Sequence, residues 1–335
     1  MGAEQRRTLI QQIQERRGNS RLLCCLTSDR NNAQGIISKD FLFRFFLHLK
    51  STPDIENLDI LLFTLGGDTL AAYALSRFIR QFARKVGVLV PYMCHSGGTL
   101  FALGADEIAM TRVATLSAID PSIAGAFNPI VEPAPGQKLP IPVAVESVEG
   151  FRNTIKEWDL DGEGRALALQ LLSEKVHPLL IGDLHRSKEQ IVRLATNLMR
   201  QHQEDEEKIR SVVDTLATRL GSHDYLLGPA EARDLLGTQV LAPNADLEGL
   251  IWQLYEDFAG EMELGVPFEP ALEIQASLQQ RQGQQAPIAL APIRKTLKIV
   301  MIESIVNNTM RSDVWEREML RMPTGQMQIL SNFWR

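Results

Sequence analysis

The 335-residue sequence lacks any long apolar run, and no stretch approaches the roughly 20 residues needed to cross a bilayer. Its opening segment, MGAEQRRTLIQQIQERR, is polar and helix-like, without the apolar block of a secretory signal. Met1-Gly2 begins as a myristoylation signal does, but Arg6 stands where Ser or Thr is required. Cysteine is scarce. Two of the three, Cys24 and Cys25, are adjacent in an apolar run, which argues against a disulfide framework and for a reducing compartment. A basic surplus is missing too: 35 Lys and Arg against 41 Asp and Glu leave a net charge of −6, with no Lys/Arg cluster to form a nucleic-acid footprint. The expectation is a cytoplasmic protein with no membrane anchor and no nucleic-acid partner. With 44% hydrophobic and 23% charged residues the remainder is ordinary globular material, enough for one large domain with an appendage or for two domains.

What is present centres on Val86 to Ser122. An apolar strand, Val86 to Val90, stops at Pro91, passes through a short turn and reopens as a helix at Ser96. A serine on a strand-to-helix turn has its hydroxyl lifted clear of the sheet. Gly97 and Gly98 behind it let a carbonyl approach the backbone, and the first amides of the helix face the place where negative charge would develop. Upstream, LDILLFTLGGDTL repeats the design with Gly66-Gly67 before a helix from Asp68 or Thr69. Two such junctions in succession predict one composite site at the carboxyl ends of neighbouring strands.

Around this centre the apolar strands alternate with helices, the pattern of a parallel sheet covered on both faces. Strands are predicted at RLLCCLTS, Leu58–Thr64, Glu107–Met110 and Ala114–Ile119, and helices at FLFRFFLHLKS and Thr69–Lys85. Residues 124–142 contain five prolines and read as a long loop without regular structure. Helices follow through Arg165–Val176, His185–His202, Ile209–Leu220 and Pro229–Leu236, and GTQVLAP closes the domain with a strand. The expected division is a domain over 1–245 and an accessory, oligomer-forming region over 246–335, with a helix at 246–263, a Gln-rich linker and a strand at Leu297–Val306.

The runs FTLGGDTLAAYALSRFIRQ, VPYMCHSGGTLFALGADEIAM and LSAIDPS, together with VHPLLIGDLHRS and GSHDYLLGPAEARDLLG, resemble the serine dehydrogenase proteinase family. These are relatives of signal peptide peptidase A within the Clp protease/crotonase fold. The resemblance covers roughly residues 20 to 245, with five motifs in the expected order. It implies an α/β Clp/crotonase-like spiral fold with a parallel sheet and flanking helices. It also implies a cofactor-independent serine endopeptidase that works as a homo-oligomer on peptide or protein substrates. Ser96 would be the nucleophile, the Gly67 and Gly97 amides the oxyanion donors, and Gly66, His95 and Gly98 would border the substrate.

A serine hydroxyl needs a base. Where Clp proteases carry their histidine this chain has Asp120-Pro121, so the resemblance implies a Ser–Lys pair instead. Lys156 matches the lysine position of shorter relatives, if the Pro-rich stretch is an insertion. Lys138 lies at a distance from Ser96 closer to that of membrane-associated relatives. Either lysine would need burial to lower its pKa. His177 and His223 lack the company of metal ligands, and no metal is expected. Two other readings stay open. One is crotonase-type acyl-CoA chemistry using the same paired amides, and the other is an inactive scaffold of the same fold.

Overall fold

The computed structural model describes residues 3–52, 54–120, 122–123, 127–134, 137–141, 143–269, 294–321 and 327–335. The chain forms two compact units, Met1–Leu116 with Leu227–Arg335, and Ser117–Leu226.

The first unit begins with helix α1 (Ala3–Arg16), strand β1 (Arg21–Thr27), α2 (Phe41–Leu49), β2 (Ile55–Phe63), α3 (Thr69–Ile79) and β3 (Ala83–Val90). The two-residue β4 (Met93–Cys94), α4 (Gly97–Leu103), β5 (Glu107–Met110) and β6 (Thr115–Ser117) follow. The second unit contributes β7 (Ser122–Ile123), β8 (Ile130–Ala134), β9 (Gln137–Pro140), β10 (Val143–Ala144), α5 (Val145–Glu157), α6 (Gly162–Lys175), α7 (Pro178–Met199) and α8 (Glu206–Asp214). After β11 (Leu226–Leu227) the chain returns to the first unit with α9 (Pro229–Leu236), β12 (Val240–Leu241), α10 (Ala245–Met262), β13 (Arg294–Val306), β14 (Thr309–Arg321) and β15 (Met327–Trp334).

The main sheet has eight strands in the order β12-β5-β3-β2-β1-β13-β14-β15. It is parallel from β12 to β1 and antiparallel from β1 onward. The fold is therefore α/β with a mixed sheet and flanking helices. Strand β1 is buried from Leu22 to Thr27 with no alternation, because both of its faces are covered. Leu22, Cys24 and Leu26 pack with Ile10 and Ile13 of α1 and with Ile251, Leu254 and Phe258 of α10. Leu23 and Cys25 point the other way and are equally buried. Helix α2 contacts β13 and α3.

Residues 246–335, set apart in the sequence as an accessory region, thus supply α10 and three strands of the main sheet. Two of these, β14 and β15, were not visible in the sequence pattern. The Asp313 carboxylate of β14 is met by partners far away in the chain. Asp313 lies 3.4 Å from Arg44 Nη1 and 3.0 Å from His48 Nε2. His48 itself is buried, its Nδ1 2.7 Å from Ser304 Oγ, which agrees with a structural role and not with that of a ligand. Beside the sheet, Arg6 reaches Asp257 at 2.6 Å and Glu303 at 3.0 Å and also pairs with Glu261, so α1, α10 and β13 share one buried cation.

In the second unit, α7 buries Leu180, Leu184, Ile191, Leu194 and Leu198 along one stripe. Val145 packs with Leu180 and Leu184. The predicted helix through Leu220 changes character at Thr215–Arg219, which is π-helical, and the Leu216 carbonyl there accepts from the Ile119 N–H at 3.0 Å. The Pro-rich stretch is not a plain loop. It holds the two-stranded hairpin β8–β9, whose register slips between Val131 and Ala134, around Pro133. Each strand of this two-stranded sheet has only one neighbour, so residues without an N–H are tolerated there, whereas a central strand would exclude them.

Candidate active site

Two consecutive strand-to-helix junctions of the first unit meet at the carboxyl ends of β2 and β3. Beyond β2, Thr64 forms an isolated parallel bridge with Cys94, its N–H donating to the Met93 carbonyl at 3.0 Å and its carbonyl accepting from His95 N–H at 3.0 Å. The buried Thr64 hydroxyl accepts from the Gly66 N–H at 3.0 Å and lies 2.9 Å from Thr27 Oγ1. The threonine in TLGG was the available sequence signal for this support, and it was missed.

The glycines are required by position. Gly66 and Gly67 have φ of +116° and +150°. A β-carbon on Gly67 would lie 2.3 Å from the Ile37 carbonyl oxygen, and one on Gly98 would lie 2.5 Å from Thr64 Cγ2. Ile37 brackets Gly67 with its backbone. Its N–H donates to the Gly66 carbonyl at 2.8 Å, and its carbonyl accepts from the Asp68 N–H at 2.9 Å. This role is invisible in sequence, because it uses no side chain. Asp68 then caps α3, accepting from Leu70 N–H at 2.8 Å and Ala71 N–H at 3.0 Å.

Ser96 occupies φ 49°, ψ −113°, a region that side-chain-bearing residues rarely enter. It stands just before α4 and its hydroxyl does not cap that helix. Its carbonyl accepts from Leu100 N–H at 3.0 Å, and Gly98 N–H donates to the His95 carbonyl at 2.7 Å. The two junctions touch: the position of a Gly97 β-carbon is 3.2 Å from the Gly67 nitrogen. Among the described residues, the Gly67 and Gly97 amides are not used in the hydrogen bonds that build the turn. The structure therefore brings Gly66, Gly67, Ser96, Gly97 and Gly98 together.

The neighbouring side chains narrow the chemistry. Cys94 is fully buried, and desolvation, with a smaller contribution from Cys25, raises its thiol far above its ordinary pKa. It remains protonated and unreactive. His95 is half-buried, its Nε2 2.8 Å from Thr115 Oγ1. Among the described residues there is no His, Cys, Asp and Glu grouping suited to a metal ion.

The two candidate lysines belong to the second unit. Lys156 is exposed in the last turn of α5. Lys138 lies on β9, and its side chain is outside the described residues. The same unit holds a pairing that the sequence did not suggest, with His223 Nδ1 2.9 Å from the buried Asp120 Oδ1.

Comparison with known proteins adds the following. Two uncharacterized proteins of Methanocaldococcus jannaschii are similar to this chain. One is 27% identical over 188 residues, covering 56% of this chain and 54% of that protein. The other is 35% identical over 75 residues, covering 22% of this chain and 26% of that protein. The chain thus matches about half the length of the first relative and about a quarter of the second. Among solved structures, a mutant of the 1510-N membrane-bound stomatin-specific protease aligns with 68% of this chain and 82% of its own, at 15% identity and a TM-score of 0.40. ClpP1 from Listeria monocytogenes aligns with 67% of this chain and 94% of its own, at 15% identity and a TM-score of 0.33. Residues 4–138, which contain both glycine junctions and Ser96, match the family described as ClpP-like SDH-type serine proteinase. The match covers less than half of the chain and shows that this segment is similar to that family.

Proposed function

We propose that the protein is a serine endopeptidase with Ser96 as nucleophile. The observation that carries the reading is the backbone of Ser96, held at φ 49° and ψ −113° beside two glycine amides that the turn leaves unused. Strain of this kind costs about 1–3 kcal/mol and persists where the surroundings enforce it.

In this reading Ser96 Oγ attacks the carbonyl carbon of a peptide bond, and its proton passes to a lysine, Lys156 before Lys138. The Gly67 and Gly97 amides receive the oxyanion, while Gly66, His95 and Gly98 border the substrate. Collapse of the tetrahedral species expels the amine, which takes a proton, and water then hydrolyses the acyl-enzyme. No cofactor enters this scheme. The working form is a homo-oligomer, at least a dimer, which light scattering at micromolar concentration checks.

The test is labelling of the full chain with a fluorophosphonate, followed by peptide mapping. One label at Ser96, lost in Ser96→Ala, is the expected result. A wild type that stays unlabelled and hydrolyses no peptide would overturn the reading.

A further inference from the structure

We infer that Trp334, on the last strand of the sheet, is a positioning residue for the Gly66–Gly67 turn, acting through Asp40 and the backbone of Ile37. The inference rests on the reading of Gly67 as an oxyanion donor.

The direction of the Gly67 amide is set by what holds the peptides on either side of it. Both neighbours, the Gly66 carbonyl and the Asp68 N–H, are bonded to Ile37, and the Gly66 carbonyl also accepts from the Thr64 hydroxyl at 3.2 Å. The Gly67–Ile37 approach is so close that no β-carbon fits between them. A shift of Ile37 therefore moves the Gly67 peptide with it.

Ile37 belongs to neither a helix nor one of the named strands; its fully buried side chain anchors it, and its backbone runs between the two ends of segment 35–40. At one end, the Gly35 N–H donates to the Ser28 carbonyl at 2.8 Å, and Ser28 N–H donates to the Ile299 carbonyl on β13 at 2.8 Å. At the other end stands Asp40, which has both carboxylate oxygens engaged. Ser38 Oγ donates to Oδ1, and Trp334 Nε1 donates to Oδ2 at 2.6 Å. The indole is itself fixed. Its ring meets Phe41 edge-on at 5.9 Å and Trp315 at 5.4 Å, and the Arg44 guanidinium lies 4.8 Å from its centroid. Between these ends the Ile37 side chain is fully buried, while Ile36 and the Lys39 side chain are exposed. The C-terminal strands thus hold both ends of the segment that sets the Gly67 peptide.

A simple packing role for Trp334 would lower stability without touching the reaction selectively. A positioning role makes three further demands. Trp334→Phe, which keeps an aromatic ring but loses the N–H, should slow phosphonylation of Ser96 by about ten-fold with little change in KM for a peptide substrate. The Ile37 and Asp68 amides should exchange with solvent about ten-fold faster. Asp40→Asn, which keeps an acceptor oxygen for the indole, should retain more of the labelling rate than Asp40→Ala.

The experiment measures labelling rate, KM and site-resolved hydrogen exchange on the full-length wild type, Trp334→Phe, Asp40→Asn and Asp40→Ala. Slower labelling together with faster exchange at Ile37 and Asp68 upholds the inference. Unchanged labelling in variants of a wild type that does label at Ser96 overturns it, as does unchanged exchange. A wild type that never labels removes the catalytic reading of Ser96. The mechanical link is then decided by exchange alone, faster exchange upholding it and unchanged exchange overturning it.

Discussion

A β-carbon placed on Gly66 would stand 2.7 Å from the Cβ of Ser96. The two strand-to-helix junctions approach so closely that one has no room for a side chain where the other presents its hydroxyl. Gly66→Ala must therefore displace Ser96 or open the turn, at a position whose φ of +116° already disfavours alanine. The expected outcome is loss of Ser96 labelling with destabilisation of about 2 kcal/mol, read from urea unfolding. A Gly66→Ala protein that labels at the wild-type rate would show that the junctions are not coupled.

The strain at Ser96 gives a separate prediction about stability. Glycine adopts φ 49°, ψ −113° without the penalty paid by residues with a β-carbon. Ser96→Gly should be more stable than Ser96→Ala by about 1 kcal/mol, although both are inactive. Equal unfolding midpoints for the two would mean that the backbone at 96 relaxes once the hydroxyl is gone.

The base is resolved by two variants assayed side by side. Lys156→Arg should be inactive despite keeping its charge, since a guanidinium does not surrender its proton at working pH. Lys138→Ala should keep most of its activity. The opposite pattern would transfer the role to Lys138, and full activity in both would end the Ser–Lys scheme.

Arg6 is almost fully buried between Asp257 and Glu303. Removing the cation takes from both buried carboxylates the guanidinium that they share. Arg6→Ala should cost about 3–5 kcal/mol, measured as a fall in the urea midpoint. A loss below about 1 kcal/mol would mean that the carboxylates find other partners or take up protons.

His48 predicts a pH dependence. Burial, the largest influence, holds its pKa below the ordinary value, against the opposing pull of Asp313 and with smaller contributions from Arg311 and Arg21. The unfolded chain then binds a proton near pH 6.5 that the folded chain refuses. The contribution is complete above that value and is lost as pH falls through it toward the folded pKa. Between about pH 7.5 and 5.5 the wild type should therefore lose more stability than His48→Gln. Parallel decline of the two proteins would remove His48 as the source.

Much of the candidate site was legible because its requirements are local. Gly66, Gly67, Gly97 and Gly98 follow apolar strands directly, and the capping Asp68 marks the helix start. What was not legible is held by distant partners. Ile37 acts through its backbone, and Asp40 is completed by an indole from the far end of the chain. In β14 the run of charges suggests a solvated surface until His48, Arg44 and Arg311 are seen around Asp313. Likewise the prolines of 124–142 argued against regular structure, a rule that holds for central strands and relaxes in an isolated hairpin.

The pairing of β13 with β1 sets Leu23 opposite Ser304. During synthesis at about 5–20 residues per second, β1 emerges more than about ten seconds before the strand that will cover its open edge. The entropy of closing so large a loop grows only slowly with length, so the delay does little to final stability. It matters for the nascent chain, which meanwhile carries an apolar strand edge able to recruit other strands. A chain ending before β13 would keep that edge for good, and its fate would be decided by aggregation and not by unfolding.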